Sequence, residues 1–243
     1  MIIKKLSRPK IKPVLMTCDG SIDKKLEEHE AVNVCFSRYS FTIAAGRMGS
    51  GKTSTTLSLL RDVFSQCFHN IFIIIPENSL HSIPVKDNLF LPKENESKFI
   101  YHDYSEETLQ EILDQLHDES ADGYSSLLVI DDFGQKFKTD KRCENLLNTI
   151  IIRMRHLKTS IFLLTQNIYQ NPKKWREVCT NLICFDLGKS QMEKIFNEFF
   201  DYKKEQFDEI MKLYKNPWDY LLLNLKHKRL FFDYNEILFD DKK

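Results

Sequence analysis

The chain has 243 residues, enough to bury a core without disulfide staples, and its length suits one large α/β domain or a core with small additions. Lys plus Arg and Asp plus Glu number 35 each, so the net charge is zero and any grip on a nucleic acid must come from a local patch. Six cysteines (Cys18, Cys35, Cys67, Cys143, Cys179 and Cys184) form no C-x-x-C pair and have no neighbouring His at zinc spacing, which excludes a zinc module and points to reduced, packed thiols. No apolar run approaches the roughly 18 residues of a membrane helix, and Met1-Ile2-Ile3 followed by Lys4 and Lys5 lacks the order of a signal peptide. A soluble protein that stays inside the cell is expected.

Residues 1–39 read as an arm of short strands and loops covering one edge of a core sheet, and residues 40–243 as the main domain. The cluster Lys4, Lys5, Arg8, Lys10 and Lys12 is either a nucleic-acid contact or a solvated arm. Residues 40–45 form a short apolar strand, and residues 52–68 a helix with Leu57, Leu60 and Phe64 at helical spacing. Between them, Gly46-Arg47-Met48-Gly49-Ser50-Gly51-Lys52-Thr53 matches G-x-x-x-x-G-K-[ST] at every fixed position. Glycines let successive N–H groups converge on phosphate oxygens, and the helix adds its positive N-terminal end. Gly46 through Thr53 and Ser54 would cradle the phosphates, Lys52 would hold the terminal ones, and Thr53 would ligate magnesium. Arg47 and Met48 occupy variable positions; Arg47 either contacts phosphate or a neighbouring subunit, or is solvated.

Residues 70–76 are a continuous apolar run suited to a buried parallel strand, which fixes the class as α/β. Residues 77–97, with Pro84 and Pro92, read as a long irregular loop, and residues 98–102 as a short strand. A helix over 105–117 is capped by Ser105 and packs through Leu109, Ile112, Leu113 and Leu116. The next strand, 127–130, runs into Asp131-Asp132. A carboxylate at the C-terminal end of a parallel strand is where a phosphate-loop protein holds magnesium, so Asp131 takes that role and Asp132 can polarise the attacking water.

Residues 135–142 interleave Lys136, Lys138, Lys141 and Arg142 with Phe137, as a loop gripping a phosphate backbone would, or as an exposed linker would. A helix over 144–158 follows, packing through Leu146, Leu147, Ile150, Met154 and Leu157. Arg153 and Arg155 flank its apolar stripe, either as arginine fingers or as surface charges. Residues 160–167 are a buried strand ending in amides, where Gln166 can sense the γ-phosphate and orient water. One more strand (181–187) precedes two amphipathic helices, one carrying Met192, Ile195, Phe196 and Phe199, the other Phe207, Ile210, Met211 and Tyr214. A β-hairpin of 219–225 and 228–234 closes the chain.

The phosphate loop, the stretch from Leu127 to Phe133, and Arg153-Met154-Arg155-His156 followed about ten residues later by a strand ending in Thr165-Gln166 together resemble the viral genome-packaging ATPases of the FtsK and HerA superfamily. That resemblance implies a RecA-like (ASCE) P-loop NTPase core, with a mainly parallel sheet flanked by helices, that assembles into a homo-oligomeric ring of six or five subunits. It implies ATP and Mg²⁺ as cofactors, an ATP-driven translocase for viral double-stranded DNA working at a capsid vertex, and a site in the host cytoplasm, the viral factory or the virion. In that scheme Lys52, Asp132 and Gln166 act in catalysis with Arg153 or Arg155 from the next subunit. Many relatives in the wider superfamily carry Glu where this chain has Asp132, so the shorter arm would act through a water.

Three other readings compete. Asp131-Asp132-Phe133-Gly134-Gln135 fits the D-x-x-G-Q switch of small GTPases, but no N-K-x-D or T-K-x-D follows to read guanine. A nucleotide or polynucleotide kinase would pass phosphate to an acceptor without stimulation by duplex DNA. A non-translocating assembly factor would bind ATP and form rings, and would lose nothing on Asp132→Asn.

Overall fold

The computed structural model describes residues 2–4, 36, 39–62, 67–81, 98–134, 136–200 and 202–239, with 2–4, 62, 81 and 138 described by backbone alone. Among the described residues ten strands form one sheet: β1 (Ile2–Lys4), β2 (Phe41–Ala45), β3 (Asn70–Ile74), β4 (Lys98–Tyr101), β5 (Ser126–Asp131), β6 (Thr159–Thr165), β7 (Asn181–Phe185), β8 (Tyr220–Asn224), β9 (Arg229–Phe232) and β10 (Asn235–Leu238). Their order is β1-β10-β9-β8-β7-β2-β6-β5-β3-β4. From β7 to β4 every pairing is parallel, and from β7 to β1 every pairing is antiparallel.

The parallel strands read as unbroken apolar runs because both sheet faces are covered. Alternate residues enter two separate cores. Phe41, Ile43, Leu128, Ile130, Ile161, Leu163 and Leu182 point into one, and Ala44, Leu127, Val129, Phe162, Leu164 and Ile183 into the other. The first core is closed by α3 (Glu106–Ala121), α5 (Lys141–Arg153), α6 (Lys173–Val178), α7 (Lys189–Phe199) and α8 (Lys204–Met211); the second by α1 (Lys52–Asp62) and α2 (Glu77–His81). A one-turn helix, α4 (Lys136–Thr139), precedes α5.

Helix starts follow local chemistry. Ser105 Oγ accepts the amide of Thr108 at 3.2 Å to cap α3, and the Asp140 carboxylate accepts the amides of Arg142 and Cys143, both at 3.1 Å, to cap α5. That second cap corrects two expectations. The basic stretch 136–142 is helical rather than a loop, and α5 begins at Lys141 and ends at Arg153, where residues 154–158 turn tightly into β6 with Lys158 at φ 47°. The aromatic in that stretch, Phe137, is fully buried against Tyr104 and Trp175, so it offers no face for stacking a base.

The closing antiparallel unit is larger than a hairpin. Asp233 and Tyr234, at φ 45° and 61°, make a two-residue turn of the kind that matches strand twist, and β10 returns alongside β9. Arg229 donates to both carboxylate oxygens of Glu236 across these strands at 2.6 and 2.7 Å. β1 then pairs with β10, so the described N-terminal strand edges the same sheet beyond this unit. Apart from Phe36 and Tyr39, the rest of the expected arm, including Lys5, Arg8, Lys10, Lys12, Cys18 and Cys35, lies outside the described residues, as do 82–97, Gln135 and residues 63–66 of the expected first helix. Cys67, Cys143, Cys179 and Cys184 are buried, as expected of packed thiols.

Candidate active site

The phosphate loop sits at the C-terminal end of β2, a strand in the middle of the ten-stranded sheet, and leads into α1, whose first helical bond runs from the amide of Thr55 to the carbonyl of Gly51 at 2.7 Å. Gly49 and Gly51 hold φ of 76° and 89°, a region other residues enter at a cost, which is why the pattern needs glycine there. Gly46 is required for a different reason: a Cβ on it would lie 2.7 Å from Cβ of Phe185 and would also strike Ser50 Oγ. The Lys52 ammonium donates to the carbonyls of Gly46 and Arg47 at 2.8 and 2.9 Å, which lays it across the mouth of the loop. Burial lowers its pKa, against the opposing attraction of Asp131 and Asp132.

β6 lies between β2 and β5, so the end of β6 stands between the loop and the acid pair. Thr165 at that end accepts the amide of Gly46 on its backbone carbonyl at 3.1 Å, and its hydroxyl donates to the carbonyl of Asn167 at 3.1 Å. Thr53 Oγ1 donates to Asp131 Oδ2 at 2.9 Å, joining α1 to β5. Asp131 is almost fully buried, and burial, reinforced by the charge of Asp132, pushes its carboxyl up to about 6 against the help of Thr53 and Lys52. A buried carboxylate and a hydroxyl in contact are hard oxygen donors that fit magnesium sharing its remaining positions with phosphates and water. Among the described residues no group of three or more His, Cys, Asp or Glu is placed to hold a metal ion.

Asp132 is exposed, has φ 61°, and accepts a hydrogen bond from Gln166 Nε2 at 3.0 Å. The second acid and the strand-end amide expected separately are therefore one hydrogen-bonded couple. Beside it, Asp132, Phe133, Gly134, Lys136, Gln166 and Gln170 line an open cleft of about 290 Å³. Sequence reasoning missed Gln170 and met Gly134 only within the switch pattern of the GTPase reading. A Cβ at Gly134 would come within 2.7 Å of Gln170 Oε1, so the turn after the acids passes close under that amide. The signal present was the Asn167 that follows the strand, whose side chain accepts the amide of Tyr169 at 2.9 Å and starts the turn carrying Gln170.

Other expected residues are placed apart. Arg153 and Arg155 are exposed and precede β6, at the sheet edge opposite the phosphate loop, so they cannot reach the site of their own chain. Arg47 leans over Gly188, whose added Cβ would meet Arg47 Nη2 at 2.5 Å, and Met48 is 87% exposed at the tip of the loop. Of the basic residues of α4 and α5, Lys136 pairs with Asp103 at 2.9 Å, Lys141 with Glu144 at 2.7 Å and Arg142 with Glu106 at 3.1 Å. Glu144 is buried and also paired with Lys174 at 2.8 Å, whereas the pairs of Lys136 and Arg142 lie in solvent, where screening leaves them free to exchange for other anions.

Residues 32–218 match the family described as Poxvirus A32 protein. No curated protein sequence matches the chain. Among solved structures, the DNA-packaging ATPase B204 from Sulfolobus Turreted Icosahedral Virus superposes with a TM-score of 0.60 at 13% identity, over 81% of this chain and 98% of that one. The genome packaging NTPase B204 of Sulfolobus turreted icosahedral virus 2, in complex with ATP-gammaS, gives 0.59 at 12% identity over 81% and 98%. ATPases 2 and 3 of EssC from Geobacillus thermodenitrificans give 0.53 at 13% identity, over 84% of this chain and 40% of that one. At these identities the likeness establishes the P-loop ATPase fold, with its mostly parallel sheet between helices.

Proposed function

The chain belongs to the Poxvirus A32 protein family, and from that premise we propose that it is a P-loop ATPase that drives viral double-stranded DNA into a capsid. The observation that carries the chemistry is the meeting of three strand ends: Thr53 on Asp131 at 2.9 Å and Gln166 on Asp132 at 3.0 Å, both beside the phosphate loop. A mere phosphate-binding turn has no use for the second couple.

The loop amides and the Lys52 ammonium bind the β- and γ-phosphates of ATP and offset their charge. Thr53 and ionised Asp131 would hold Mg²⁺, which when bound polarises the phosphates. Asp132, reached by water and held by Gln166, orients the attacking water in line with the γ-phosphorus and accepts its proton. Gln166 touches that acid and stands next to Thr165, which is bonded to Gly46, so it can relay phosphate state to β6. The polar cleft beyond Asp132 has room for a guanidinium. An arginine supplied by a neighbouring subunit fits it, which supports a homo-oligomeric ring with Arg153 or Arg155 acting in trans.

Lys136, Lys138, Lys141 and Arg142 are the DNA-gripping candidates, now along α4 and the start of α5, where the exposed pairs of Lys136 and Arg142 can yield to phosphates. The enzyme acts inside the infected cell, in the cytoplasm or viral factory, and engages the capsid vertex. No described helix is long and apolar enough to cross a membrane. The deciding experiment measures hydrolysis of ATP and GTP by the assembled oligomer with and without duplex DNA. DNA-stimulated ATP turnover is expected; turnover indifferent to DNA, with phosphate passed to an acceptor, refutes packaging in favour of a kinase.

A further inference from the structure

The hydrolytic groups lie on one flank of the phosphate loop, because Asp131 and Asp132 end β5, Gln166 follows β6, and both strands stand on the same side of β2. A nucleotide whose terminal phosphate faces those groups runs its other end toward the opposite flank, over β7 and β8. There the chain presents Trp218. Its side chain is 64% exposed, and its Cβ lies 3.5 Å from where a Cβ on Gly51 would stand, so it borders the backbone of the loop itself. No hydrogen bond or ring contact among the described residues engages its indole.

The turn beneath Trp218 is fixed. The Asp219 carboxylate accepts the amides of Lys215 and Asn216, both at 2.8 Å, and the amide of Asp219 donates to the carbonyl of Asn216 at 3.1 Å. Partial burial pulls the Asp219 carboxyl upward, but those donors outweigh it and hold it below the usual carboxylate range. The next residue, Tyr220, packs on Phe185 with ring centroids 5.5 Å apart, and Phe185 lies under Gly46 and Gly51. Loop, β7 and turn are thus one packed unit. A large aromatic face held in water on such a unit adds little to the core. Its position suits a flat, apolar ligand part continuous with a phosphate chain.

We propose that Trp218 is the stacking platform for the nucleobase of the bound nucleoside triphosphate, an inference that rests on the ATPase reading of the loop. Stacking uses the π-face that every base has, so Trp218 sets affinity for nucleosides over bare polyphosphate rather than choosing among bases.

The test compares Trp218→Ala, Trp218→Phe and Lys52→Ala in the full chain, with ADP and inorganic tripolyphosphate as probes, and with ATP turnover. Trp218→Ala is expected to weaken ADP and raise KM for ATP by roughly 5- to 100-fold, with kcat falling far less and tripolyphosphate binding as in the wild type. Trp218→Phe should restore most of the loss. Because Trp175 is fully buried, ADP should quench tryptophan emission in the wild type and not in Trp218→Phe. Unchanged ADP affinity in Trp218→Ala, or equal losses for ADP and tripolyphosphate, overturns the platform while leaving the loop assignment standing, provided Lys52→Ala loses both probes. If Lys52→Ala keeps both, the ATPase reading fails and the platform with it.

Discussion

Asp131→Asn separates what the acid does for chemistry from what it costs the fold. The native carboxyl keeps its proton up to about pH 6, whereas an unfolded chain loses it near the ordinary aspartate value of 3.8. Between those values the native state binds more protons, so the group makes the wild type less stable as pH rises through this window, and the full cost is present above it. At 1.36 kcal/mol per pKa unit that cost is about 3 kcal/mol, net of the help from Thr53 and Lys52. Asparagine keeps an oxygen for the Thr53 hydroxyl and carries no charge, so the variant escapes the cost. For a chain of this size the melting temperature of the metal-free, nucleotide-free protein should rise by roughly 6–12 °C at pH 7.5. The stability gap should shrink to about half by pH 5, where much of the wild-type carboxyl is already protonated. The same variant should lose magnesium-dependent turnover. Scanning calorimetry in chelator at several pH values gives the answer. A variant no more stable than the wild type at pH 7.5, or a gap that does not narrow toward pH 5, refutes the picture of a charge held in the sheet at energetic cost.

Asp132→Asn should bind ATP and release product at least 100-fold more slowly, since general-base help is worth about 10²–10⁴-fold; a filter-binding assay for trapped ATP reads this, and unimpaired turnover would remove Asp132 from the mechanism. Gly46→Ala should destabilise the fold by about 1–3 kcal/mol and abolish nucleotide binding, because the new methyl meets Phe185 at 2.7 Å on its Cβ rather than on a yielding side-chain tip; urea titration and ADP calorimetry check both. Reversing Lys138, Lys141 and Arg142 to Glu, with Lys136 kept because it lines the cleft, should remove DNA stimulation and leave DNA-free hydrolysis in place. Cys179 and Cys184, both buried with thiols pushed up by burial (Cys179 to about 12), should resist alkylation at pH 8 until the protein unfolds, as mass spectrometry would read.

The strands that carry the site were legible because each is an apolar run ended by the residue type its chemistry needs. β5 stops at Asp131, β6 at Thr165 just before Gln166, and β2 opens into glycine. The pairing of Asp132 with Gln166 was not legible, since it depends on β6 lying between β2 and β5, a matter of sheet order that local pattern does not encode. The 136–142 stretch misled because alternating cations and an aromatic look alike in a loop and in a short helix. The Asp140 cap, with helical residues on both sides of it, was the overlooked cue. The last strand was lost because Asp233-Tyr234 lacks the Asn-Gly or Asp-Gly signature of a two-residue turn, although both residues adopt its backbone. Trp218 was passed over because it falls just outside the expected hairpin, where periodicity says nothing about exposure.

The left-handed backbone of Asp132, at φ 61°, bears on which acids the position can hold. Aspartate and asparagine enter that conformation far more readily than longer side chains do, because their short polar arms bond locally. Glutamate, the usual conservative exchange for aspartate, would there strain the main chain by about 1–2 kcal/mol and carry its carboxylate past the amide of Gln166. The short acid is therefore matched to its turn. A lineage that shifted to glutamate would have to rebuild the bend after β5 and the partner on β6 together, so these three features should change as a set when related chains are compared.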